Sequence, residues 1–364
     1  MQKKTHKFTD LMNNMQKNVL IDDFNNILNS ELNVKLFRNK SIFITGATGL
    51  IGSLLVRFLL YANKVQNLNI KIFAMIRNPK KAEKIYTGWD TRNLRFVIAH
   101  LGKNDLKCDA HIDYIVHPAA ITQSKIMIDK PVETIKTAVN GTEEILRFAV
   151  DKKVQSMVYV SSMEVYGQPT QKEKINENDL GYIDLTSARS CYPESKRMCE
   201  MLCTAYSDEY NINIKIARLA QTFGAGILST ENRVFAQFAK SIINHQNIVL
   251  HTDGKSEGNY IYTADAIKGL LFLLLNGETK EAYNISNEHN HMTIRQMADL
   301  VISNFGSAME KVVVDIPQQD MGYAPEVKLW LDNKKIRNLG WKPSVNMFSS
   351  YKRMIEWMKT NQIN

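Results

Sequence analysis

The chain has 364 residues, 44% of them hydrophobic and 23% charged, with a formal net charge of +9. That is an ordinary globular composition, long enough for one large α/β domain or two smaller ones. The basic residues are scattered and carry no DNA- or RNA-binding signature, so the surplus suits a phosphate-bearing small molecule and no nucleic-acid partner is expected.

Four cysteines (Cys108, Cys191, Cys199 and Cys203) form no CxxC pair, which fits a reduced, cytoplasmic location. The start, MQKKTHKFTD, is polar and lacks the apolar stretch of a signal peptide. The longest apolar run, GLLFLLL at 269–275, is too short to span a bilayer, so no membrane partner is expected.

In chain order, residues 1–39 form an extension with loosely helical periodicity. Strand-like runs follow at SIFIT (41–45), IKIFAMI (70–76), LRFVIA (94–99), DYIVH (113–117), SMVYVSS (156–162) and NIKIARL (213–219). Helical stretches lie between them, among them LIGSLLVRFLLYANKV, PVETIKTAVNGTEEILRFAVDK and PESKRMCEMLCTAYSDEY. Apolar runs without alternation read as strands buried on both faces. Strand and helix in succession predict an α/β fold, a Rossmann-type doubly wound parallel sheet over residues 40–220. Beyond 220 the rhythm loosens. Residues 221–364 read mainly as a smaller C-terminal α/β lobe, with some segments returning to the sheet.

Directly after the first strand stands GATGLIG, with Gly46, Gly49 and Gly52 three apart. Such glycines permit a tight turn and close backbone approach, and the following helix start offers unpaired N–H groups to a pyrophosphate. The second strand ends not in an acid but in Arg77, followed by Asn78, Lys80 and Lys81. A cation there suits a 2′-phosphate, which favours NADP over NAD; the alternative is a solvated arginine stacked on the adenine. Further on, RSCYPESKR sets Tyr192 and Lys196 four apart on one helix face. An ammonium beside a phenol is expected to lower the phenol's pKa, readying it to exchange a proton with a sugar hydroxyl during hydride transfer.

GATGLIG, HPAA (117–120), SSMEVYG (161–167), YPESK and RLAQTFG (218–224) resemble the extended short-chain dehydrogenase/reductase superfamily, in its nucleotide-sugar epimerase/dehydratase branch. The likeness covers about residues 40–345. The segment RSCYPESKRMCEMLCTAY is most similar to UDP-glucuronate decarboxylases, with dTDP-glucose 4,6-dehydratases and UDP-glucose 4-epimerases more distant.

The resemblance implies roles by motif position. Tyr192 is the acid/base, Lys196 tunes it and holds the nicotinamide ribose, and Ser162 bonds the reacting oxygen. Glu164 stands where dehydratases and decarboxylases carry a glutamate, open to proton abstraction, substrate orientation or a structural role. Gly46, Thr48, Gly49, Leu50, Ile51 and Gly52, Arg77, and Pro118, Ala119 and Ala120 would contact the cofactor. Ser162, Met163, Glu164, Gln221 and Arg233 would line the substrate site.

The departures matter as much. Met163 replaces the aspartate that protonates a departing C6 hydroxyl in the dehydratases, which disfavours loss of water. His100 stands at the usual adenine-binding aspartate, and Gln221 replaces an asparagine. Gly258 stands where relatives place a diphosphate-binding arginine, so either Arg233 or Lys255 supplies that charge or the substrate is gripped differently. No metal site is expected: His100 has no partner at ligand spacing, and His289 and His291 read as loop residues rather than ligands.

Three readings stay open at this level. One is an epimerase or decarboxylase that returns its hydride. Another is an NADPH-dependent reductase of a nucleotide-linked keto sugar or ketose. The third is a non-catalytic dinucleotide binder. Relatives' habits further imply a homodimer through the Tyr192 helix, whose stripe Met198, Met201, Leu202 and Ala205 fits, and a role in surface polysaccharide precursor synthesis.

Overall fold

The computed structural model describes residues 18–170, 173–317 and 328–361. Its centre is a seven-stranded sheet, parallel throughout, in the order β10-β6-β5-β4-β1-β2-β3. The strands are β1 (Ser41–Ile44), β2 (Lys71–Ile76), β3 (Leu94–Ile98), β4 (Tyr114–His117), β5 (Ser156–Ser162), β6 (Ile214–Leu219) and β10 (Ala282–Ile285). This is the Rossmann-type sheet expected from the alternating runs. The six sequence-predicted strands fall within a residue or two of their expected places. The order reverses between β1 and β4, the crevice where such sheets bind ligands.

The expectation of strands buried on both faces holds for β1, β4 and β6, which are buried at every position. It fails at β3, where Arg95, Phe96 and Ile98 are exposed. The reason is position: β3 is the sheet's edge, and the covering helix Pro79–Tyr86 is only eight residues long.

Beyond β6 come β7 (Gln221–Phe223), β8 (Ile248–Leu250), β9 (Glu257–Tyr262), β11 (Asn287–Thr293) and β12 (Val312–Val314). They form a three-stranded sheet, β11-β9-β7, and a parallel β12-β8 pair. GLLFLLL belongs to the helix Thr263–Asn276, buried from Thr263 through Leu274 and packed on β5 and β6. Among the described residues no helix is long and apolar enough to cross a membrane.

Of the N-terminal extension, residues 1–17 lie outside the described residues. The helix Val19–Leu28 follows, its N-terminus capped by Asn18, whose side chain accepts from the Leu20 amide. It is no loose appendage. Val19, Leu20, Phe24 and Ile27 are buried in the main apolar core, and the Phe24 ring meets Phe58, Tyr61 and Trp89. Asp23, also buried, accepts from the Tyr262 hydroxyl at 2.6 Å and pairs with Arg353. The extension thereby joins the glycine-loop helix to β9 and to the helix Met347–Thr360.

Candidate active site

The glycine loop leaves β1 at the switch point. Gly46 has φ +57°, a left-handed conformation that favours glycine, and a Cβ there would lie 3.0 Å from the Ala119 Cα. A Cβ on Gly52 would lie 2.3 Å from the Gly46 carbonyl oxygen. Two glycines thus let the loop press against Ala119, beyond β4, and against its own helix. That helix, Leu50–Gln66, begins at Gly49 with no side-chain cap, so its first amides remain available to an anion. The loop is held from outside: the Tyr86 hydroxyl donates to the Ala47 carbonyl at 2.5 Å, and the Ala47 amide donates to Met75 on β2. These features fit the pyrophosphate of a dinucleotide, with Thr48, Leu50 and Ile51 at the same turn.

The end of β4 is equally constrained. Thr45 Oγ1 accepts the Ala119 amide at 3.2 Å and sits 2.7 Å from His117 Nδ1, while His117 Nε2 lies 3.4 Å from Thr142. Burial, with the Lys196 charge, pushes the His117 pKa down to about 3, so the ring is neutral. The Thr45 and Thr142 hydroxyls thereby hold the neutral ring by its two nitrogens. Pro118, Ala119 and Ala120 leave the sheet from this anchored point, and Ala120 packs against the small cluster of Met127, Cys191 and Tyr192.

Tyr192 and Lys196 lie in the first turns of the helix Cys191–Tyr210, and both are buried. Lys196 Nζ donates to the Val160 carbonyl at 2.7 Å and lies 4.7 Å from the Tyr159 ring centroid and 5.9 Å from that of Tyr192. Burial lowers its pKa to about 8. The Tyr192 phenol is raised above its ordinary value, first by burial and then by the Glu164 charge. A bond from Ser162 and the charges of Arg233 and Arg189 act the other way. This corrects the expectation that Lys196 lowers the phenol. The ammonium is engaged by Val160, burial outweighs neighbouring cations, and Tyr192 rests protonated.

Ser162 ends β5 and caps the 3-10 turn Met163–Tyr166, its Oγ accepting the Glu164 amide at 3.2 Å. Glu164 is paired with Arg189 at 3.0 Å, both partly exposed. Met163 turns into the main apolar core instead. Arg189 was not singled out from sequence, although it stands three residues before Tyr192 in RSCYPESKR. Nothing in that string shows that the turn Ala188–Ser190 folds it back onto Glu164.

The remaining expected residues are less concentrated. Gln221 opens β7 beside Tyr260 of β9. Arg233 precedes the helix Val234–Ile243, acts on Tyr192, and forks onto Glu231 at 2.9 and 2.6 Å. Lys255 is exposed and paired with Asp253 at 2.6 Å. Of these two substitutes for the missing arginine, Arg233 is the one whose charge acts on Tyr192. Gly258 is buried within β9, and the nearest atom to a Cβ there would be the Tyr260 hydroxyl oxygen, at 3.7 Å. Arg77 is exposed just past β2, and His100 is exposed with its amide and ring nitrogen both held by Asp105. His291 stacks on Trp330 and pairs with Glu257, and among the described residues no group of three ligand side chains could hold a metal.

Residues 42–286 match the family model described as the NAD dependent epimerase/dehydratase family. The chain belongs to that family. Among its relatives is UDP-glucuronic acid decarboxylase 6 of Arabidopsis thaliana, 29% identical over 86% of this chain and 88% of that protein. The human dTDP-D-glucose 4,6-dehydratase is 26% identical over 88% of this chain and 91% of its own length. In fold, the chain is similar to UDP-glucuronic acid 4-epimerase from Bacillus cereus, solved with UDP-glucuronic acid and NAD. That likeness has a TM-score of 0.70 and 20% identity, over 88% of this chain and 99% of the other. The epimerase/dehydratase resemblance read from the motifs is therefore correct, and these three relatives are named for reactions of nucleotide sugars.

Proposed function

We propose that this family member oxidises a carbinol of a nucleotide-linked sugar and returns the hydride within one turnover, as an epimerase or decarboxylase does. The observation that carries the reading is the meeting of Tyr192, Ser162, Lys196 and the Glu164–Arg189 pair beside the anchored glycine loop. A nicotinamide dinucleotide held by Gly46–Gly52, Pro118–Ala120 and Lys196 would supply the hydride acceptor. Tyr192 exchanges the carbinol proton, and Ser162 bonds the same oxygen. The resting phenol is in its donor form; Ser162, Arg189 and Arg233 favour the phenolate needed to accept a proton.

Glu164, held by Arg189 at 3.0 Å, orients substrate in this reading rather than abstracting a proton. Loss of water is disfavoured, because Met163 offers no acidic proton and lies in the core. A second reading, the NADPH-dependent reductase of a nucleotide-linked keto sugar, draws on Arg77. It is exposed at the end of β2 and makes no ion pair among the described residues.

The deciding experiment releases and quantifies cofactor from purified protein, then supplies UDP-glucuronic acid, UDP-glucose and dTDP-glucose. Products are followed by mass spectrometry and NMR. NAD that survives dialysis, with carbon dioxide loss or inversion at a carbinol and no net absorbance at 340 nm, supports the first reading. An empty protein that binds NADPH over NADH, and oxidises it only with a keto sugar, overturns it and carries the second.

A further inference from the structure

We infer that the buried Arg218–Glu200 pair is the positioning device of this site, locking the helix that carries Tyr192 to the strand that ends in Ser162. The inference rests on the proposed site only in taking those two hydroxyls as its working pair.

Tyr192, Lys196 and Glu200 stand at i, i+4 and i+8 of one helix, hence on one stripe facing the sheet. Whatever holds Glu200 sets the rotation and axial position of the other two. Arg218 lies on β6 directly beside Ser161 of β5, in parallel register. Its guanidinium grips Glu200 through Nε at 3.1 and 3.3 Å and Nη2 at 2.7 Å. Ser161, the neighbour of Ser162, donates to the same carboxylate at 2.5 Å. Arg218 Nη1 donates to the Tyr166 hydroxyl at 3.1 Å and to the Glu177 carbonyl at 2.6 Å. Tyr166 in turn donates to Asn284 of β10 at 2.6 Å. The Arg218–Glu200 pair therefore ties together β5, β6, the Tyr192 helix and the turn that presents Glu164.

Arg218 is 5% and Glu200 8% exposed, so solvent neither screens the pair nor competes for its bonds. Plain stabilisation is the rival account. A buried ion pair is a poor device for that, since apolar residues of similar volume often do as well. What an apolar pair lacks is direction: a planar fork on a carboxylate fixes angle as well as distance. Proton transfer between Tyr192, Ser162 and a substrate oxygen needs that precision, and a displacement of about 1 Å can cost on the order of 100-fold in rate.

The test uses the full chain with Arg218→Met and Glu200→Leu combined, which leaves no orphaned charge, and Glu200→Gln as the near-isosteric companion. Arg218→Lys asks whether charge without the fork suffices. The readouts are hydrogen exchange at residues 160–167 and 189–197, and turnover of UDP-glucuronic acid resolved into kcat and KM. The expected result is a folded variant with exchange at least about ten-fold faster in both segments and kcat lowered roughly 100-fold at unchanged KM. Arg218→Lys should recover part of the rate, and Glu200→Gln should fall between it and the wild type. Wild-type exchange in a folded double variant, or in Glu200→Gln should the double variant not fold, overturns the inference; so does a loss confined to KM. If the wild type turns over no UDP-glucuronic acid, the functional reading fails for that substrate, and exchange alone still decides the lock.

Discussion

Asp23 offers a quantitative test of how the N-terminal extension is built into the molecule. Its carboxyl is 1% exposed, and burial raises its pKa from 3.8 to about 6 despite the Tyr262 bond and the Arg353 charge. A raised folded-state pKa means that the folded protein binds this proton more tightly than the unfolded chain. The contribution to stability is therefore fully present below about pH 4 and is lost as pH rises through about 6. A shift of roughly two units, at about 1.4 kcal/mol each, corresponds to about 3 kcal/mol.

The perturbation is Asp23→Asn, which keeps the shape and removes the titration. Urea unfolding of both proteins from pH 4 to pH 7.5 isolates the group, because every other titration cancels in the difference. Wild type should lose about 3 kcal/mol relative to the variant across that window, and the difference should then level off above pH 7. A flat difference would refute the claim that burial at Asp23 outweighs the Tyr262 bond and the Arg353 charge.

Three further outcomes are expected. Gly52→Ala places a methyl 2.3 Å from the Gly46 carbonyl, so NAD affinity by fluorescence titration should fall at least about ten-fold, with stability lowered by roughly 1–3 kcal/mol. Wild-type affinity in that variant would remove the glycine loop from the cofactor site. Lys196, lowered to about 8, loses its charge well below the ordinary lysine range, so NAD affinity should weaken as pH rises through about 8; a profile flat to pH 10 contradicts that role. Finally, Met198 and Met201 are 52% and 58% exposed on the Tyr192 helix, and the helix Pro131–Lys152 packed against it exposes Val132 and Ile135. If a second copy covers this face, light scattering will show a dimer that Met198→Glu with Met201→Glu converts to monomer. A dimer that survives places the contact elsewhere.

The alternation of apolar runs with helical stretches was enough to give the parallel sheet, because period and succession are local properties that tertiary contacts here reinforce. The glycine loop was legible for the same reason: a strand, three spaced glycines and an apolar helix are contiguous in the chain. So were Ser162, Tyr192 and Lys196, which sit in short motifs.

What only the tertiary structure decided are charges and neighbours supplied from far away. Arg189 closes on Glu164, 25 residues earlier, and Arg218 reaches Glu200 across 18. Asp23 meets Arg353 across 330. The Tyr192 phenol is raised where the lysine motif alone implied the reverse, because desolvation depends on every atom that excludes water and on no single spacing. The sequence by itself determined which side chains are candidates for chemistry, because they sit in contiguous motifs; the packed structure decided which of them are buried and which are paired, because those partners come from distant parts of the chain.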